Sequence, residues 1–170
     1  MSPFELSHKV NLLPRQIPPH SFMYDNVVLC TVAGTFSAIM MLPTFHLMLQ
    51  ATWKGIQPFE TLLTLLFSFF CMIIISVNSS IFVVFLKLSK EDFRWWWTSA
   101  LSGAFTGVIF FLYSMVYCLV EYHPIDTSSN FVFLLSNIPV SLAIALINGS
   151  ISFLGSFFFV QHIYNSLKME

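Results

Sequence analysis

Polar and apolar positions along this chain separate into long blocks instead of alternating. Four blocks are almost wholly apolar: Val27–Gln50, Thr61–Leu86, Thr98–Val120 and Phe131–Val160. A helix rises about 1.5 Å per residue, so roughly 20 apolar residues cross the roughly 30 Å hydrocarbon core of a bilayer. None of the four blocks contains Asp, Glu, Lys or Arg; the 7 basic and 8 acidic residues all fall at the ends or in the three connecting segments. Charge is costly inside hydrocarbon and tolerated at its surface, so the pattern predicts an all-α, polytopic membrane bundle of four transmembrane helices. The expected organisation is an N-terminal segment over 1–26, helices over 27–50, 61–86, 98–120 and 131–160, a connection over 87–97 and a tail over 161–170. The fourth block is longer than a crossing needs. Pro139 removes a backbone donor there, and Asn148, Gly149 and Ser150 follow, so a tilted or broken helix is expected.

Orientation follows from the basic residues, because short loops rich in Lys and Arg stay in the cytosol. Four crossings put both termini on one side. That side carries Lys9, Arg15, Lys87, Lys90, Arg94 and Lys168, whereas the other carries only Lys54. Both termini and the 87–97 connection are therefore expected in the cytosol. The first 20 residues hold Pro3, Pro14, Pro18 and Pro19 and no apolar stretch, which predicts no cleavable signal peptide.

Composition narrows the function. Apolar residues make up 56% of the chain and charged ones 9%, and the net charge is -1, so no basic field exists to hold nucleic acid. Cys30, Cys71 and Cys118 all lie within the apolar blocks, with neither disulfide nor metal spacing. Carboxylate pairs, a nucleophile beside a base and a phosphate-cradling glycine loop are all missing from the blocks. A non-enzyme without cofactor, surrounded by lipid, is expected.

A few residues stand out against this background. Trp95, Trp96 and Trp97 end a charged turn, where amphipathic rings settle at the headgroup level and anchor the third helix. Gly103 and Gly107, and Ala145 and Gly149, are small residues four apart, a spacing that lets helices approach closely, either within the bundle or against a client helix. Asn78 and Asn148 open glycosylation sequons inside predicted spans, so both are expected to be unmodified and to hydrogen-bond between helices. His46, one turn after Pro43, reads as a packed or carbonyl-bonded histidine, because its span offers no carboxylate to make it a proton relay.

The stretch Glu91-Asp92-Phe93-Arg94-Trp95-Trp96-Trp97 resembles the acidic pair, aromatic, basic and triple-tryptophan sequence before the penultimate span of the nonaspanins, the transmembrane 9 superfamily. Ser102 to Thr106 and Phe110 to Tyr113 are similar to that family's small-residue patch and aromatic run, and Phe159-Val160-Gln161-His162-Ile163-Tyr164 to its close. Pro14 to Pro19 is similar to the segment leading into its sixth span, so the likeness runs from Pro14 to Glu170. Thr98, Pro139 and Asn148-Gly149-Ser150 depart from the family pattern.

The resemblance implies a Golgi or endosomal membrane protein that localises or sorts other membrane proteins, with client transmembrane helices as partners. It also implies that Lys168 and Glu170, the last basic and acidic residues of the tail, are read by the coatomer coat. Two alternatives stay open: a subunit of a small-solute transporter or channel, and a truncated paralogue with little activity of its own.

Overall fold

The computed structural model describes residues 25–55, 58–122 and 127–167. Four long helices make up the fold: α1 Asn26–Lys54, α2 Pro58–Ser89, α3 Trp96–Tyr117, and α4 Thr127–Leu167. A five-residue π-helical turn, Cys118–Tyr122, continues α3. All four helices are long and apolar enough to cross a membrane. Their surfaces are covered by large apolar side chains such as Phe67, Leu119, Phe131, Leu146 and Phe158, as contact with lipid requires.

The ends of the helices follow local chemistry. Asp25 caps α1 by accepting the Asn26 N–H at 2.8 Å, and Gly55 stops it with φ 65°. At the far end of α2 the Asp92 N–H donates to the Lys87 carbonyl and the Glu91 N–H to that of Leu88, the paired bonds of a Schellman cap. That cap needs a left-handed residue, and Glu91 supplies it at φ 62° where glycine is usual. The chain therefore turns back tightly enough to lay Asp92 against the last turn of α2.

In the bundle, α3 packs along α1 and α4, and α2 along α1 and α4, so α1 and α4 occupy opposite corners while α2 and α3 meet across the middle. Two kinds of packing divide its length. Toward the tryptophan end the interior is small and polar. Ser80 Oγ lies 2.7 Å from Ser156 Oγ, Ser152 Oγ donates to the Ser76 carbonyl at 3.3 Å, and Ser37 Oγ donates to Ser79 Oγ at 2.9 Å. Toward the other end rings fill the space: Phe45 meets Phe110 edge to face at 5.0 Å, and Phe133 packs among Trp53, Tyr117 and Tyr122. Lipid tails are as apolar as leucine, so helices gain by close backbone approach and shared hydrogen bonds more than by burying grease, and the serine half is built that way.

The break expected in the fourth span is not there. α4 runs for 41 residues through Pro139 and through Asn148-Gly149-Ser150. Proline costs the helix only the one backbone bond to the Leu135 carbonyl; one turn earlier Asn137 Nδ2 donates to the Phe133 carbonyl at 2.9 Å and Ser136 Oγ to that of Val132. At about 1.5 Å per residue, α4 is roughly twice the hydrocarbon thickness, so it projects past the membrane core or crosses it at a tilt.

Candidate functional site

Four regions hold the side chains that matter. The first is a polar knot at the tryptophan end. Lys87, 3% exposed, places its Nζ 2.7 Å from Asp92 Oδ2 and also donates to Asn26 Oδ1 at the start of α1. The Arg94 N–H donates to Asp92 Oδ1 at 3.0 Å, and Thr98 Oγ1 of α3 reaches Asn26 Oδ1 at 3.5 Å. Burial alone would raise the Asp92 carboxyl, but the Lys87 ammonium and the Arg94 N–H together hold it below its ordinary value. In a Schellman cap the side chains now occupied by Lys87 and Asp92 usually make an apolar contact; here an ion pair replaces it and draws in α1.

The tryptophan triplet does not act as one anchor. Trp96 and Trp97 are 51% and 77% exposed, whereas Trp95 is 6% exposed, stacked on Trp96 at 5.1 Å and on Phe153 of α4 at 6.2 Å. Trp95 is thus a core residue, packed with Val84 and Val160. Successive residues at a helix start point about 100° apart, so three rings in a row cannot all face the headgroups.

The small-residue steps are consumed inside the bundle. A methyl on Gly103 would lie 2.5 Å from the Asn148 carbonyl, and one on Gly107 2.5 Å from that of Ser141 and 2.6 Å from Ala145 Cβ. Gly149 faces Ala100 and Ala104. Gly103, Gly107, Ala145 and Gly149 therefore form one α3–α4 seam, the packing use that their spacing allows. Asn148 is fully buried there; its Nδ2 donates to Thr106 Oγ1 at 2.7 Å, and its Oδ1 has no partner among the described residues.

Asn78 behaves in the opposite way. It is exposed and makes no hydrogen bond among the described residues, against the interhelical bond its position suggested. Its side chain lines a groove of about 610 Å³ between α1 and α2, walled by Val32, Phe36, Met40, Ile75 and Phe82. Asn78 stands 11 residues from the end of α2 at Ser89, about 16 Å along the helix, or half of a roughly 30 Å hydrocarbon thickness. An unpaired amide at that depth is expensive unless another helix completes it.

The fourth region lies at the other end, and sequence reasoning missed it. His46 Nδ1 is 3.0 Å from Tyr113 Oη, its Nε2 is 2.9 Å from the Gln50 amide nitrogen and 3.6 Å from Glu121 Oε1. Lys54 Nζ bonds Glu121 Oε2 at 2.8 Å and sits 5.8 Å from the centre of the Tyr117 ring. His46 is accordingly bound by side chains, not by a carbonyl, and it does have a carboxylate beside it. The predicted third span ended at Val120, one residue short of that partner. Lys168 and Glu170 lie outside the described residues.

Residues 1–126 match the family model described as Endomembrane protein 70. The chain is 34% identical over 173 residues to transmembrane 9 superfamily member 1 of Bos taurus, covering 99% of this chain and 28% of that protein. It is 31% identical over 169 residues to transmembrane 9 superfamily member 5 of Arabidopsis thaliana, covering 98% of this chain and 28% of that one. No solved structure matches it. The chain thus spans just over a quarter of the length of these relatives and corresponds to their C-terminal part. With four membrane-crossing helices, the family model and relatives from animal and plant in agreement, this chain belongs to the transmembrane 9, or nonaspanin, superfamily of membrane proteins.

Proposed function

We propose that the chain localises or sorts other membrane proteins in the Golgi and endosomal membranes by holding their transmembrane helices in the α1–α2 groove. Its tail, ending in Lys168 and Glu170, is read by the coatomer coat from the cytosol, where the basic residues around the tryptophan turn also lie. The observation that carries this reading is Asn78, an unpaired amide near mid-membrane depth in an open apolar groove. A helix that fits it is apolar, with a hydrogen-bonding side chain near its middle; such a bond contributes about 0.6–2 kcal/mol. Passage of a solute is the weaker reading, because Phe45, Phe110 and Phe133 fill the bundle between its two polar ends.

The groove is tested with single-span Leu/Ala peptides in vesicles, one with a central Asn and one with Leu, with association read by energy transfer. The Asn peptide is expected to bind about 3- to 30-fold more tightly, and Asn78→Leu to remove the difference. Equal binding of the two peptides to the wild type would sink the groove as the client site. The tail is tested separately by imaging an N-terminally tagged chain. Lys168→Ala with Glu170→Ala is expected to abolish Golgi residence and coatomer capture, and unchanged residence would remove the tail from the proposal.

A further inference from the structure

The cluster around His46 is unused by helix docking, and its geometry assigns it a separate role. Three residues of α1 one turn apart, His46, Gln50 and Lys54, face Tyr113, Tyr117 and Glu121 of α3 and its π turn. Among the described side chains, no charged residue faces them from the other helices: α2 carries none between Glu60 and Lys87, and α4 none from Thr127 to Leu167. Asn130 of α4 bonds Cys118 beside the cluster.

With the Gln50 amide donating to Nε2, the imidazole carries its proton on Nδ1 and donates it to Tyr113 Oη. Both ring nitrogens are then satisfied in the neutral form. A second proton changes the bonding at Nε2, because an imidazolium has no acceptor there, while Nδ1 goes on donating to Tyr113 Oη. The Gln50 N–H must leave Nε2, and the nearest anion among the described residues is Glu121, at 3.6 Å and held there by Lys54.

We propose that His46 is a proton-binding site that acts as a latch: on protonation it exchanges Gln50 for Glu121 and ties α1 to the π turn of α3. The cluster sits on the face opposite the tryptophan turn, the lumenal face if that turn is cytosolic, where an acidic compartment would close the latch. Trp53 provides a natural reporter, since its ring lies 5.5 Å from that of Tyr122 in the π turn and 4.8 Å from that of Phe133. The three other tryptophans lie at the far end of the bundle.

The test labels the full chain with 5-fluorotryptophan in nanodiscs and follows the Trp53 resonance, assigned with Trp53→Phe, from pH 7.5 to pH 5. A single transition is expected in the wild type. It is lost in His46→Gln, and most of its amplitude is lost in Glu121→Gln, which keeps the histidine but removes its new partner. A wild-type resonance that does not move, or a transition of full size in either variant, overturns the latch. If His46→Gln fails to fold, the Glu121→Gln amplitude decides alone, because Glu121 lies at the surface. Neither readout involves a client or the tail, so the latch can fail while the sorting proposal stands.

Discussion

Asp92→Ala is expected to lower the stability of the bundle by about 3–5 kcal/mol, measured by reversible unfolding in micelles, because it strands Lys87 at the tryptophan end without its partner. Lys87 is nearly inaccessible and reaches its two acceptors, Asp92 and Asn26, from inside the knot. With the carboxylate gone, the ammonium keeps a single neutral acceptor. Lys87→Met is expected to cost a comparable amount by leaving Asp92 short of a cation, while the double variant Lys87→Met with Asp92→Leu recovers most of the loss, since an apolar contact is the ordinary filling of such a cap. A double variant as unstable as the sum of Lys87→Met and Asp92→Leu measured alone would show that the residues act independently. The pH dependence has a definite sign. The Asp92 carboxyl is held below its ordinary value, so its contribution is complete above about pH 4, the usual value of a free aspartate, and disappears as the pH falls below that.

The second large effect lies in the α3–α4 seam. Gly107→Ala and Gly103→Ala are each expected to cost about 1–3 kcal/mol, although alanine is the better helix former by about 1 kcal/mol. The new methyl would meet backbone carbonyls at 2.5 Å in both cases, and backbone cannot swing aside as the end of a side chain can, so the helices must part. Gly149→Ala is the internal control. Its methyl would lie 3.1 Å from the Ala100 carbonyl and 3.3 Å from Ala104 Cβ, a contact that yields to a shift of a few tenths of an ångström. Its stability is expected within about 0.5 kcal/mol of the wild type. Equal losses at all three glycines would mean that the seam is not as close as its geometry indicates.

Much of this architecture is legible in the sequence because one rule dominates it: charge stays out of hydrocarbon, so four uncharged blocks declare four helices. The rule fails at the margins of the blocks. Glu121 sits one residue beyond the point where the third block stops being apolar, and the turn that returns it toward His46 leaves no mark in composition. The cap after α2 is hidden for a related reason, since a glutamate stands where a glycine would have announced it. Small residues every fourth position signal close packing but not whose packing, and only coordinates show that Gly103, Gly107 and Gly149 are all spent inside. Trp95 had a readable signal in helical geometry, because three adjacent side chains cannot share one face. For Asn78 and Asn148 the sequence offers no distinction: each is an asparagine within an apolar span, one sealed in the seam and the other open to the groove.

The π turn at Cys118–Tyr122 sets an angular phase. An α-helix advances about 100° per residue, so the eight steps from Tyr113 to Glu121 would overshoot two full turns by about 80° and carry the carboxylate around the side of the helix. A π turn closes its hydrogen bonds over five residues instead of four, advances less at each step and gives back part of that overshoot. Tyr113 and Glu121 therefore remain on the face that looks at His46. Wound as plain α-helix, the same residues would carry the carboxylate about 80° out of line. The bundle thus has an indexing mark a single residue deep, and its effect is confined to the membrane face opposite the tryptophans.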